Sequence, residues 1–499
     1  MNTLSNQILQ NTNLNKPQKE KVLQFGTGVL LRGLPDFLID KANKQGIFDG
    51  GIVVVKSTDS GDSFAFERQN NLYTICERGI EDGEEIERTT ICTAISRVLS
   101  AKSQWNDIID FAKSDDLQIV ISNTTEVGIQ LIQDDISSNP PISFPGKLLA
   151  VLYERCKAFK ADKSKGLIII PTELISDNGT KLQEIVIELA HLNNLDSDFI
   201  DWLETANTFC NSLVDRIVPG KPNEVEFQKL SNQLGYRDDL MIIAEPYLLW
   251  AIEGDEKVKR ILSFASVDEG VIIENNIEKY KELKLRMLNG THTLSCALAF
   301  LSGFDTVKDA MKDESFRGFI YNLMFSDIAN GIPYKIDSKV VQRFGSQVLD
   351  RFSNPTLDHK WLSISANYSQ KMWMRNGATF FQYATKMGCV PKYMSIGFAA
   401  YILFMRNIRI DGNKFYGTAN NEEYLINDSK AELFSKYSKN YGDNLGELVN
   451  VILKSKELWE QDLAQIDGLA DSITQNLDFM IHNGVKNILN RTSIMSTVS

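Results

Sequence analysis

The segment K-L-R-M-L-N-G-T-H sets three polar groups of complementary chemistry close together: the amine of Lys284, the amide of Asn289 and the imidazole of His292. A potential base beside two neutral polar groups suits the removal of a proton from an alcohol. If the segment is helical, at about 100° per residue the three fall within an arc of roughly 140°, so one face presents all of them. Gly290 interrupts that helix and marks a place where the backbone approaches a ligand closely. The plainer alternative is an amphipathic helix with a solvated lysine, a capping asparagine and a satisfied histidine. A lysine also needs help to act near neutral pH: its ordinary pKa is about 10.4, and burial or nearby positive charge lowers it by several units.

The elements that must position these groups alternate through the first half of the chain. Lys21 to Phe25, Gly51 to Lys56, Leu117 to Asn123 and Gly166 to Pro171 read as buried strands. Val29 to Lys44, Gln104 to Lys113, Lys181 to Leu192 and Asp198 to Arg216 read as helices. That order predicts βαβ units on a parallel sheet. Ser63 to Ser100, rich in β-branched and aromatic residues around the turn Glu81-Asp82-Gly83, reads as an inserted hairpin or mixed-sheet extension. After about residue 275 helical periodicity dominates. The expected fold class is α/β: a Rossmann-like dinucleotide-binding domain over 1–275 and a mostly α-helical domain over 276–499.

At the first strand-to-helix junction the chain reads F-G-T-G-V-L-L-R-G, with Gly26, Gly28 and Gly33. Glycines there permit a tight turn and let backbone amides approach a pyrophosphate. The last spacing is one residue longer than in G-x-G-x-x-G, so a merely tight turn stands as the alternative. Arg32 is either a cation near the phosphates or an ordinary exposed helix residue. At the end of the second strand, where NAD specificity usually calls for an acid, stand Lys56, Ser57, Thr58 and Asp59. Ser122-Asn123-Thr124-Thr125-Glu126 follows the Leu117 strand, at the edge where such a sheet binds its ligand.

Composition narrows the partners. A formal net charge of −12 disfavours nucleic acid or an anionic membrane. A small anionic substrate needs a local cluster of Arg or Lys. The polar N-terminus lacks the apolar stretch of a signal peptide, and no apolar run reaches the roughly 18 residues of a membrane helix, so the expectation is a cytoplasmic protein with no membrane partner. Six scattered cysteines without C-x-x-C, and only four histidines, predict neither disulfides nor a metal site.

The chain resembles the long-chain polyol dehydrogenases, a family that includes mannitol 2-dehydrogenase, fructuronate reductase and tagaturonate reductase. The resemblance spans nearly the whole chain. It rests on Q-F-G-T-G-V-L-L-R-G at Gln24, S-N-T-T-E-V-G at Ser122, N-S-L-V-D-R-I-V-P at Asn211, E-P-Y-L-L-W at Glu245 and K-L-R-M-L-N-G-T-H at Lys284. I-I-I-P-T-E-L-I-S-D-N-G at Ile168 and R-F-S-N-P at Arg351 are most similar to the tagaturonate reductase branch. The resemblance implies metal-independent, NAD-linked hydride transfer at a secondary alcohol. Lys284 would be the acid–base group, with Asn289 and His292 holding the substrate oxygen. Phe25, Gly26, Thr27, Gly28, Leu31, Arg32, Asn123, Thr124 and Glu126 would contact NAD.

The implied substrate is a hexonate or ketouronate, whose carboxylate calls for placed cations. Arg351 is the first candidate, with Asn354, His359 and Lys360 nearby. Asp215 and Arg216 either form a structural pair or line the substrate pocket. One departure stands out: polyol-oxidising members carry an asparagine shortly after the Gly166 strand, where this chain has Glu173 and Leu174. Fructuronate reductase, mannitol 2-dehydrogenase and a non-catalytic dinucleotide sensor remain the alternative readings.

Overall fold

The computed structural model describes residues 1–9, 16–57, 63–124 and 128–490. The chain divides into two compact units, one of Met1–Arg78 with Glu85–Ile277, the other of Gly79–Glu84 with Glu278–Ser499.

Unit 1 is built on a six-stranded sheet: β1 (Glu20–Phe25), β2 (Gly51–Lys56), β3 (Ile95–Ser100), β4 (Ile119–Ser122), β5 (Ile168–Pro171) and β6 (Thr208–Phe209). Its order is β3-β2-β1-β4-β5-β6, and the registered pairs are parallel. The strands are continuous apolar runs because both faces are covered. Ile52 and Val54 enter one core with Leu38 and Ile39, while Val53 and Val55 enter the other with Leu148 and Ile108. Full burial of each such side chain contributes about 1.5–3 kcal/mol. The strand order reverses between β1 and β4, and a doubly wound sheet binds its ligand at the carboxyl ends of the strands flanking that point.

Three local expectations change. Val29 to Lys44 is two helices, α1 (Val29–Gly33) and α2 (Pro35–Lys44). The ring of Pro35 disfavours a helical Leu34, which sits at φ −132°, ψ −78°. Ser63 to Ser100 is not one insertion. It holds a helix at Ser63–Arg68, a hairpin (Tyr73–Glu81 with Glu84–Cys92) that pairs with Ile242–Ala244 in a separate sheet, and β3 of the main sheet. Alternation announces a strand but does not say which sheet receives it. Asp198 to Arg216 is helical only to Ala206. There Asn207 donates to the Trp202 and Leu203 carbonyls and accepts from the Leu167 amide, which ends the helix and starts β6. Asp215 therefore lies on a strand, Ser212–Asp215.

Unit 2 is mostly helical. α3 (Glu278–Leu283) runs into a π-helical turn, Lys284–Gly290, and on into α4 (Thr291–Leu301). The chain then supplies α5 (Ser338–Ser353), α6 (Tyr368–Met387) and α7 (Lys392–Met405). α4 packs on α7 and the π turn on α6. A three-stranded antiparallel sheet, Arg409–Asp411, Lys414–Ala419 and Glu422–Leu425, is the unit's main β element among the described residues. No helix of the described residues is long and apolar enough to cross a membrane.

Arg216 pairs not with Asp215 but with Glu77, at 2.7 Å, and both side chains are buried. Its other donors reach the Gly33 carbonyl (2.6 Å) and the Glu245 carbonyl (2.9 Å), and its plane lies over Phe37. One guanidinium thus ties together the glycine-rich helix, the hairpin and the strand carrying Asp215. Removing one member of a buried ion pair strands the other charge, at a cost of about 3–5 kcal/mol. Arg216→Met is expected to lower unfolding stability by that amount in urea titration, with much of the loss recovered in Arg216→Met/Glu77→Leu. A single variant as stable as the parent would show that the pair holds nothing together.

Candidate functional site

In unit 1 the glycine turn is fixed by backbone on both sides. The Gly26 amide donates to the Val55 carbonyl (3.1 Å), and the Asn123 amide donates to Phe25 (3.2 Å). Gly26 has φ +124°, and a Cβ there would lie 3.0 Å from the Asn123 carbonyl oxygen, so the position requires glycine. Leu31 is buried beneath the turn, against Gly26, and Phe25 is buried against Phe144. Thr27 and Gly28 reach the surface. Gly28 caps α1 without a side-chain hydrogen bond, and a Cβ on it would meet no atom within 4 Å. The turn thus has the room and the uncapped amides that a pyrophosphate requires.

Arg32 does not reach toward that space. It is buried, donates to the Leu240 carbonyl (2.5 Å) and lies over the Tyr73 ring, so it is neither an exposed helix residue nor placed at the phosphates. Below the turn, Gln24 bridges the Gly26 carbonyl and the Asp36 carboxyl, each at 3.4 Å. Burial pushes Asp36 up to about 7, against the opposing hydrogen bond from Gln24 and the charge of Arg32.

The loop after β4 is tied down by Glu173. One carboxyl oxygen accepts from the Thr124 amide (2.8 Å) and hydroxyl (3.0 Å), and the other from Ser122 Oγ (3.1 Å). Asn123 donates to the Thr172 carbonyl and hydroxyl. Glu173 therefore clamps the carboxyl ends of β4 and β5, while Leu174 beside it is 66 % exposed. Glu126, Thr58 and Asp59 lie outside the described residues.

In unit 2, Lys284, Asn289 and His292 share one continuous helical run, and Lys284 and Asn289 both fall within the π turn. The i→i+5 hydrogen bonding of a π turn places residues five apart about one turn apart, whereas a regular α-helix would separate them by about 140°. Gly290 does not break the helix. A Cβ there would lie 2.7 Å from Asn376 Oδ1, so the close approach it permits is to α6 and not to a ligand. Arg286 fastens the same turn, pairing with Glu282 and donating to the Met374 (2.9 Å) and Arg375 (2.8 Å) carbonyls of α6.

The His292 ring is enclosed by Phe352 at 4.1 Å, His359 at 5.2 Å and Trp361 at 6.0 Å between ring centres. Its Nε2 is buried and has no hydrogen-bond partner among the described residues. Burial, then the positive fields of His359, Arg351 and Arg375, hold its pKa well below the ordinary range. His359 is shifted down as well, by the burial of part of its ring and by Arg351 and Lys371. The expected His359 lies against the His292 ring, and the charge of the expected Arg351 reaches both imidazoles. Asn354 is buried, and its side-chain oxygen caps the Thr356 amide and hydroxyl, shaping the loop. Lys360 is exposed and pairs with Asp305.

The sequence reading missed Lys371 and Arg375, four residues apart on α6. Like charges at that spacing repel, and K-M-W-M-R without a neighbouring acid was the available signal. Among the described residues no cluster of three or more His, Cys, Asp or Glu could hold a metal ion.

The mannitol dehydrogenase Rossmann domain family matches residues 20–264, and the mannitol dehydrogenase C-terminal domain family matches residues 276–481. The altronate oxidoreductase of Halalkalibacterium halodurans is 37 % identical over 476 residues, 94 % of this chain and 92 % of that protein. The altronate oxidoreductase of Bacillus subtilis is 36 % identical, covering 95 % of each. Among solved structures, the chain is similar to a D-sorbitol dehydrogenase in substrate-free form, with a TM-score of 0.75 at 20 % identity over 97 % of this chain and 99 % of that one. It is also similar to the Pseudomonas fluorescens mannitol 2-dehydrogenase ternary complex with NAD and D-mannitol, with a TM-score of 0.63 at 20 % identity over 98 % and 99 %.

The depressed His292 predicts a pH signature. Its folded pKa lies below the unfolded value of about 6.5, so its contribution to stability is fully present above pH 6.5 and is lost as pH falls toward the folded value. His292→Gln cannot titrate. The unfolding free energy of the parent minus that of the variant should therefore fall between pH 7 and pH 5, by at most about 1.4 kcal/mol per pH unit. A difference that stays level across that range would mean the imidazole is not held neutral.

Proposed function

Because the chain belongs to the mannitol dehydrogenase family, we propose that it is an NAD-dependent altronate oxidoreductase, interconverting D-altronate and D-tagaturonate as a tagaturonate reductase. The observation that carries this reading is the set of cations at this place in a chain of net charge −12: Arg351 and Arg375 act on His292, and Arg351 and Lys371 act on His359, whose ring lies against that of His292. A neutral polyol gives such crowding nothing to neutralise, whereas a hexonate brings a carboxylate. The altronate oxidoreductases among the relatives, matched over nearly their full length, agree with it.

Lys284 takes the proton of the reacting hydroxyl in oxidation and returns it in reduction. Help of this kind is worth roughly 10²- to 10⁴-fold. Asn289 donates its amide hydrogen to the same oxygen, stabilising the charge that develops there. His292 is kept neutral, so its buried Nε2 meets the oxygen as a hydrogen-bonding group and adds no further positive charge. Arg351 attracts the carboxylate, and the neutral His359 beside it offers a hydrogen-bonding group.

Gly26, Thr27 and Gly28, with Asn123 and Thr124, hold the dinucleotide, and Glu173 keeps the last two in place. Bound NAD supplies the two-electron acceptor for the alcohol carbon. We place the protein in the cytoplasm, where cysteines stay reduced. Its six form no disulfide, and five of them are buried.

The test follows NADH and NADPH absorbance with purified protein and D-tagaturonate. NADH is expected to be consumed in preference. Lys284→Ala is expected to lower turnover by about 10²- to 10⁴-fold while leaving NADH binding nearly intact. Unchanged turnover in the variant would remove Lys284 from the chemistry, and a parent protein that binds NADH without consuming it would be a dinucleotide sensor.

A further inference from the structure

We propose that Arg375 grips the substrate carboxylate and thereby sets the preference for sugar acids over neutral polyols, an inference that rests on the function proposed above. Arg375 lies on α6 and donates through Nη1 to Thr293 Oγ1 (3.0 Å) and to the Asn289 carbonyl (3.4 Å). Those bonds fix the guanidinium plane on the backbone that carries Asn289. Its Nε and Nη2 have no partner among the described residues, and it joins no ion pair with their carboxylates. That remaining edge is the pair of parallel N–H groups that binds a carboxylate through both oxygens.

Arg286 shows what a purely structural arginine looks like in the same place. It is buried, paired with Glu282 and bonded to two α6 carbonyls. Arg375 has the corresponding backbone anchor but no acid. Its surroundings add further cations: Lys371 one turn earlier on α6, which donates to the Ile364 carbonyl, and the field that Arg351 and Arg375 together place on His292. In a chain with 65 acidic residues, a half-buried arginine that pairs with none of the described carboxylates marks a position that an acid from outside is to fill. Lysine cannot replace it, because an ammonium presents no planar fork.

The test measures binding to the NAD-loaded protein by calorimetry, using D-altronate and its neutral counterpart altritol. Arg375→Gln is expected to weaken altronate about 10- to 100-fold, the value of a charge-assisted hydrogen-bonded pair. Altritol binding and NAD affinity should change little. Arg375→Lys is expected to recover only part of the altronate affinity, and KM for tagaturonate should rise more than kcat falls. Equal weakening of altronate and altritol would show Arg375 to be a support for the Asn289 turn and overturn the proposal. So would altronate binding that is unchanged in Arg375→Gln. Failure of the underlying function is separately visible, as a parent protein that binds either compound without oxidising altronate.

Discussion

Like-charge crowding is the constraint around which unit 2 is organised. Arg351 and Arg375 act on one enclosed imidazole, that of His292, and Lys371 acts on its neighbour His359, so the repulsion among these cations must be offset by the scaffold. The offset comes from backbone oxygens: Asn289 for Arg375 and Ile364 for Lys371, with the Met374 and Arg375 carbonyls taken by Arg286. Carbonyl acceptors satisfy the donors of Arg375 without cancelling its charge, whereas Lys371 also feels the carboxylate of Asp428. Burial, and then the charges of Arg351 and Arg375, keep His292 neutral, and the same charges give an acidic chain a place for an anion. The π turn belongs to the same arrangement, since it brings Asn289 toward Lys284 while Arg286 and Arg375 hold it to α6. Such turns are rare in α-helices and recur at functional sites.

Unit 1 meets a different constraint, which is to leave backbone amides uncovered at the reversal point of a parallel sheet. Gly28 leaves α1 uncapped, Glu173 draws Thr124 and Ser122 to the ends of β4 and β5, and Arg216 anchors Gly33 from behind. Each is a buried polar contact serving a surface feature. Arg32 belongs to this supporting set, although its sequence position suggests a phosphate ligand.

Much of this was legible in the sequence, for identifiable reasons. The main strands were visible because they are continuous apolar runs covered on both faces, and the glycine turn because Gly26 must adopt a left-handed φ. Helix breaks were less legible. Pro35 splits its helix through a clash with the residue before it, and Asn207 ends another by capping carbonyls that only the folded chain brings within reach. Lys284, Asn289 and His292 were found together because they share one short segment. Lys371 and Arg375 were missed because an i,i+4 basic pair usually means a solvated face, and only tertiary packing brings the charge of Arg375 to His292 and that of Lys371 to His359. Arg32 and Arg216 show the converse, since an arginine in a suggestive motif carries no sign of whether it faces a ligand or the core.

The most direct test of the account is the rate of NADH consumption with D-tagaturonate, D-fructuronate and D-fructose offered side by side under identical conditions. The cationic site predicts a marked preference for the acids over fructose, and the altronate oxidoreductases among the relatives put tagaturonate first of the two. Fructose turned over as well as either acid would contradict it, because the charges gathered about His292 would then have no substrate to meet.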